Sequence, residues 1–424
     1  MSYLNKIKES LMRNKSIRNG ALFSIFSFVN KGFSFLLLII IANLMSPAEY
    51  GYLNLFNTIV MVIGFFVALS SEGYMSVAYF QQGEKGVAKT FSSVLFLSLV
   101  ISSLCVGCIW LGGTWLSDSL KLPYHILFIT VAICFFTVYN NIFLDMLRIK
   151  ERVWKYGFFS CSCALANFIV SIILIKYCEI GWVGRAYAQV GCIALFGFIG
   201  LWFFFANGYF TRDIKTFVKP LLLWSIPLIP HAATNFIRQG LDRYIIDYFH
   251  SIDDVGLFSF ALTLVNVITM IGFGFNQSNS VDIYKTLSSS TLKGNEKAYR
   301  LKRQRKMIML VYVVSTIIAV AAMAFAIPIF MPKYIDSIKY FLILSVYGFG
   351  VCIYLLYTNY LFYYKCTRQI MFVTFGTAVL HLLLSMTFTR YGLIWTSIIY
   401  SISQVITIFG IRYYALKELK NKLN

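Results

Sequence analysis

PLLLWSIPLIPHAATNFIRQGLDRYIIDYF, Pro220 to Phe249, is an apolar stretch long enough to cross a membrane, yet it holds three prolines, a histidine, two arginines and two aspartates. A charge at the centre of a bilayer costs about 2.5 to 3.5 kcal/mol on insertion scales, so such groups face a protein interior or a water-filled path. At about 100° per residue, His231, Asn235, Arg238 and Asp242 fall on one helical stripe. Arg238 with Asp242, and Arg243 with Asp247, stand at the i,i+4 separation of helical ion pairs. Each charge is therefore open to two readings, neutralised on its own helix or turned toward a ligand. Pro220, Pro227 and Pro230 interrupt the backbone ladder, which membranes tolerate where neighbours or cavity water satisfy the freed groups. The stretch is expected to be a kinked or broken helix beside a polar path.

Outward from it, the chain reads as an integral membrane protein. Its 424 residues are 59% hydrophobic and 13% charged, with a mean hydropathy of +0.73, far too apolar for a soluble globule. The apolar runs are about 20 residues long, the length a hydrocarbon core demands of a helix and twice that of a barrel strand. Twelve segments are expected, at about 20–45, 52–75, 90–114, 123–147, 156–177, 181–206, 217–248, 255–280, 306–331, 336–363, 368–389 and 391–414. The formal charge of +20 would suggest nucleic acid in a soluble chain, but here the cations gather in alternate loops, as orientation by positive charge predicts. With the N-terminus cytoplasmic, 28 of the 37 Lys and Arg lie inside and five outside. Both termini are thus expected in the cytoplasm, with no nucleic-acid partner. The nine cysteines sit mostly in apolar runs without the partner pairs of a zinc site, so no metal, disulfide or cofactor is expected.

The two halves resemble each other at an offset of 205 residues. Asn30, Ser46 and Gly51 align with Asn235, Ser251 and Gly256, and the links SPAEYG and SIDDVG share a Ser-x-x-acidic-x-Gly pattern. An all-α fold of two six-helix lobes follows, 1–206 and 207–424, related by a pseudo-two-fold axis along the membrane normal.

The basic start followed by NKGFSFLLLIIIANLMSPAEYG (30–51), the string IPLIPHAATNF (226–236) with DRYII (242–246) behind it, and RYGLIW (390–395) resemble the bacterial polysaccharide and O-antigen repeat-unit flippases of the Wzx type. These belong to the superfamily of multidrug, oligosaccharidyl-lipid and polysaccharide exporters. The resemblance covers nearly the whole chain, though Leu393, Ile394 and Trp395 stand where the family often has small residues. It implies a non-enzymatic transporter of the bacterial inner membrane, moving undecaprenyl-pyrophosphate-linked oligosaccharide from the cytoplasmic to the outer leaflet during polysaccharide or lipopolysaccharide synthesis. Membrane lipids, a polysaccharide polymerase and a chain-length regulator are the partners it implies. A proton- or sodium-coupled small-molecule antiporter of the same superfamily is the alternative. A membrane glycosyltransferase or polymerase is more distant, because every outer loop is short.

Candidate substrate contacts are Lys31, Asn235, Arg238 and Arg243, guanidinium being suited to bidentate phosphate binding. Asp242, Glu72 and His231 are candidates for ion coupling or for structural pairing. Arg185, near the outer end of its segment, reads as an interfacial anchor, and Asp145 as a local partner of Arg148. His125, His250 and His381 suggest no constellation. Tyr354, Tyr357, Tyr360 and Tyr364 form a stripe suited to helix packing or to a sugar platform.

Overall fold

The computed structural model describes residues 15–69, 71–211, 215–226, 234, 236–364 and 366–423. Its elements are helical throughout: α1 Lys15–Leu44, α2 Pro47–Ala68, α3 Ser71–Leu120, α4 Tyr124–Ile149, α5 Val153–Ile172, α6 Gly181–Ala206, α7 Lys215–Ser225, α8 Leu241–Phe249, α9 Ile252–Ser288, α10 Gly294–Phe330, α11 Ile338–Tyr363, α12 Thr367–Phe388 and α13 Leu393–Leu423. Among the described residues ten helices are long and apolar enough to cross a membrane. The two expected segments outside that number are the first, on α1, of which Val29–Leu44 is a shorter apolar helix among the described residues, and the proline-rich stretch holding α7 and α8. Large apolar side chains such as Leu111, Leu310 and Phe325 stay exposed on these helices, the surface a lipid solvent requires. The chain is a multi-pass, all-α membrane protein.

Contacts divide it into two compact units, Met1–Met45 with Leu55–Ala232, and Ser46–Asn54 with Ala233–Asn424. In the first unit α4 and α6 pack closely because Gly197 and Gly200 bring one backbone onto the other. A Cβ at either would meet the carbonyl oxygen of Phe136 or Tyr139 at 2.4 and 2.6 Å, the approach that small residues permit between membrane helices. Phe91 stacks on Phe204 with ring centroids 4.6 Å apart. Ser98 Oγ lies 2.5 Å from the Tyr139 hydroxyl, satisfying that buried phenol. At one end of this unit Lys150 Nζ reaches Glu84 at 2.8 Å and donates to the Tyr209 hydroxyl at 2.7 Å, while Tyr209 donates to Glu84. Burial alone would lower the Lys150 ammonium, but these hydrogen bonds and the adjoining charge outweigh it and hold Lys150 above the ordinary lysine range.

The second unit contains both copies of the Ser-x-x-acidic link, and each is a capping box. Glu49 N–H donates to Ser46 Oγ at 3.2 Å while Ser46 N–H donates to the Glu49 carboxylate at 2.9 Å. Ser251 and Asp254 repeat the arrangement at 3.2 and 3.3 Å. Two orphan donors at each helix start are satisfied reciprocally. The glycines that follow put the two links in contact. A Cβ on Gly51 would lie 2.3 Å from the Ile252 carbonyl oxygen, and one on Gly256 would lie 1.8 Å from that of Pro47. Pro47 and Ile252 are themselves equivalent under the 205-residue offset, so the two contacts are copies of each other. Beside this crossing Phe260 stacks on Tyr334 and Tyr50 packs edge-on against both. The tyrosine stripe of α11 is core: Tyr357 and Tyr360 are buried in an apolar cluster with Ile283, Leu301 and Ile411, and Tyr354 and Tyr364 pack against it.

Candidate functional site

The stretch that opened the sequence departs from regular α-helix where its charges begin. Phe236–Gly240 is π-helical and runs into α8. A π turn is a frequent mark of functional sites in helices, and here it carries Arg238. One turn later stands Asp242, fully buried. Both face the polar stripes of α12 and α13. Arg238 Nη1 donates to Gln404 Oε1 at 2.9 Å, and Nη2 donates to Thr377 Oγ1 at 2.6 Å and Thr407 Oγ1 at 2.8 Å. Its Nε is buried with no acceptor among the described residues. The terminal nitrogens of Arg238 thus rest on neutral oxygens among the described residues.

Asp242 is held by α12 instead. Its Oδ2 lies 2.8 Å from His381 Nε2 and its Oδ1 accepts from Ser385 Oγ at 2.7 Å. His381 is buried, with Nδ1 3.2 Å from Ser403 Oγ. Ser403 has one hydroxyl proton and two claims on it, since its Oγ also stands 3.0 Å from the Tyr400 carbonyl. With neutral imidazole, Nε2–H donates to Asp242 and Ser403 must donate to Nδ1. With imidazolium, both ring nitrogens donate and the Ser403 proton returns to the Tyr400 carbonyl. The serine rotor therefore reports the protonation state of the histidine. From Asp242 a row of hydroxyls continues past the end of α12 to α13: Ser385 Oγ lies 3.2 Å from Thr389 Oγ1, which accepts from Thr396 Oγ1 at 3.0 Å. All three are buried.

Arg243, on the adjoining face, donates from Nε to Ser259 Oγ at 3.3 Å and from Nη1 to the Asn54 carbonyl at 3.5 Å. The Tyr400 ring stands edge-on to His381, centroids 5.0 Å apart, and its buried hydroxyl has no partner among the described residues.

The structure thus brings Arg238 and Asp242 together with residues the sequence reading passed over. His381 belongs to a constellation after all. Thr377, His381 and Ser385 recur every four residues on α12, the same interval that separates Arg238 from Asp242, and that polar row in an apolar helix was the available signal. Lys31 lies exposed on α1 in the first unit. His231 and Asn235 lie outside the described residues, as does the side chain of Glu72 in the first turn of α3. Asp145 and Arg148 pair at i,i+3. Arg185, expected as an interfacial anchor, has partners on α5. Its guanidinium donates to Asn167 Oδ1 and, at 3.0 Å, to Ser171 Oγ, at the wall of a cavity within the first unit.

A family profile described as polysaccharide biosynthesis protein matches residues 16–281. The chain belongs to that family. It is 22% identical over 423 residues to an Lsg-locus protein of Haemophilus influenzae, covering 96% of this chain and all of the relative. A membrane protein of the same organism is 20% identical, over 91% and 92% of the two chains. Among solved structures, an inward-facing MATE multidrug transporter superposes with a TM-score of 0.74 at 12% identity, covering 93% of this chain and 95% of the other. The lipid II flippase MurJ, in an inward closed conformation, superposes with 0.72 at 17% identity over 95% and 90%. This polysaccharide biosynthesis family member therefore shares the fold of the MOP superfamily transporters.

Proposed function

We propose that this family member is a flippase for lipid-linked oligosaccharide, moving an undecaprenyl-pyrophosphate-linked, O-antigen-like repeat unit from the cytoplasmic to the outer leaflet of the bacterial inner membrane. It acts by alternating access, without enzymatic chemistry, and both termini are cytoplasmic. The observation that carries this reading is Arg238, a half-buried cation on a π turn, held by neutral acceptors within a membrane bundle of this family. A pyrophosphate and its hydroxyl-rich sugars cannot cross hydrocarbon without losing their hydration, and a permanent guanidinium charge lowers that cost. Arg243 and Asn235 are further proposed headgroup contacts on the same stretch, and Lys31 is a separate candidate on the first unit. A polymerase and a chain-length regulator would take the product onward.

Asp242 with His381 is the proposed coupling element, with Glu72 and His231 as further candidates. Uptake of one proton by the dyad changes the charge of a buried network by one unit. Such a change shifts a conformational equilibrium only as far as the two conformations differ in proton affinity. The Ser385–Thr389–Thr396 hydroxyl row offers the proton a route. The same acid, together with the likeness to MATE transporters, also favours a second reading, proton-coupled export of a small molecule.

The test is liposomes containing fluorescent undecaprenyl-pyrophosphate oligosaccharide, scored for cargo reached by an outside reagent. Protein-dependent translocation, accelerated by a proton gradient in the wild type and indifferent to it in Asp242→Asn, is the expected result. Absence of translocation beside gradient-driven dye efflux from the same vesicles would replace the flippase with the antiporter.

A further inference from the structure

Within the first unit, α1, α4, α5 and α6 line an open cavity of about 310 Å³. It lies near the middle of α1 and α4, where Asn30 and Asn140 occur. Its polar wall is made of three carboxamides, Asn30, Asn140 and Asn167, with the hydroxyls of Ser34 and Ser160. Phe33 and Phe168, ring centroids 6.0 Å apart, supply aromatic surface. We infer that this cavity is a saccharide-binding subsite that takes one pyranose ring.

Four observations select that ligand. Each carboxamide offers both a donor and an acceptor, which matches neighbouring sugar hydroxyls that must give and receive at once. Among the described residues no aspartate or glutamate lines the cavity, so this wall does not suit an organic cation, and its five amide and hydroxyl side chains do not suit an acyl chain. Second, the Asn30 and Asn140 carboxamide oxygens are buried with no hydrogen-bond partner among the described residues, a state native structures rarely leave unrelieved, and a turn of either amide brings its oxygen to the cavity. A hydroxyl is the donor they lack. Third, Arg185 fixes the Asn167 carboxamide by donating to its oxygen, leaving the amide nitrogen as its donor. Fourth, the volume is at the small end of ligand pockets, which run from about 300 to 1,000 Å³, so it suits a single ring better than a whole repeat unit. The phenyl rings would meet the C–H face of that ring while the amides meet its rim. Arg185 acts here as a positioning residue.

The inference rests on the flippase reading only for the source of the sugar, so the two are tested side by side. The full chain, purified in detergent, is examined by saturation-transfer NMR with the methyl glycosides of N-acetylglucosamine, galactose and glucuronic acid, and with sorbitol as an acyclic control. At least one pyranoside should bind while sorbitol does not. Asn140→Leu and, as a milder change, Ser34→Ala should each weaken that binding, the former about tenfold, the loss of one to two hydrogen bonds. No pyranoside binding to the wild type, or binding unchanged in both variants, would overturn the subsite and leave a cavity filled by water. Translocation of lipid-linked cargo without pyranoside binding would sink the subsite and keep the flippase. Pyranoside binding that responds to both variants, without translocation, would keep the subsite and sink the flippase.

Discussion

Replacing Gly256 by alanine should destabilise the protein although alanine is the better helix former. In the interior of a helix the exchange contributes about 1 kcal/mol of stability, and Gly256 lies within the regular helix Ile252–Ser288. Against this, the new methyl would stand 1.8 Å from the Pro47 carbonyl oxygen and 2.6 Å from its carbon. Both obstacles are backbone and cannot rotate away, so the crossing of the two links must open by more than an ångström. Overpacking of a filled interior costs about 1 to 3 kcal/mol, and a clash this deep belongs at the upper end. The net expectation is a loss of about 1 to 2 kcal/mol. Gly51→Ala, 2.3 Å from the Ile252 oxygen, should lose somewhat less. The double variant is the sharper test, because one opening relieves both clashes: its loss should fall short of the sum of the single losses, as coupled neighbours do.

Gly107→Ala calibrates the measurement, since nothing lies within 4 Å of a Cβ there and the variant should be at least as stable as wild type. Melting temperatures followed by tryptophan fluorescence in one detergent give the order directly, with about 1 °C expected per kcal/mol for a chain of 424 residues. Gly256→Ala melting at or above wild type would refute the close crossing, and strictly additive losses would refute the shared contact.

Three further outcomes follow from the polar groups. Asp242→Ala should cost about 1 to 3 kcal/mol, the usual penalty for leaving buried hydrogen-bonding groups, here His381 and Ser385, without their acceptor. Adding His381→Ala should then cost clearly less than it does alone, and additivity in that double-mutant cycle would mean that the 2.8 Å contact carries no energy. Arg238→Lys should lose about 1 to 3 kcal/mol, because an ammonium cannot fork between Gln404 and the two threonines and leaves a buried acceptor unmet; unchanged thermal stability would contradict this. Lys150→Met should cost less than about 1 kcal/mol, since Glu84 is more than half exposed and exposed ion pairs contribute little. Because Lys150 is raised above its ordinary value, what the pair contributes is complete below the ordinary lysine range and fades as the pH rises through the raised value. A wild-type advantage over Lys150→Met that instead grew with alkalinity would reverse that sign.

What the sequence reveals of this molecule follows the cost of each feature in hydrocarbon. Twelve segments are legible because a span needs a long apolar run, and Arg238 and Asp242 stand out because charges are rare inside one. The Ser-x-x-acidic links are legible as helix starts because a capping box is closed within four residues. Their contact through Gly51 and Gly256 is not, since a glycine in a helix looks the same whether another backbone lies 2 or 10 Å away. Arg185 shows a similar limit: its position gives a depth near a helix end, but the direction of its side chain depends on Asn167 and Ser171, supplied by another helix. His381, Thr377 and Gln404 escaped notice because neutral hydrogen-bonding groups are inexpensive in a membrane bundle and occur in most of its helices. Their spacing carries the missing information. Residues 377, 381 and 385 repeat the interval of 238 and 242, and Arg238 meets Thr377 while Asp242 meets His381 and Ser385. Two helices in parallel contact that both repeat at four keep their polar rows in register over successive turns. A charge on one helix therefore predicts a neutral row of the same period on its neighbour, and the search for the partner of a buried charge should begin with that period, before any acid or base in the sequence.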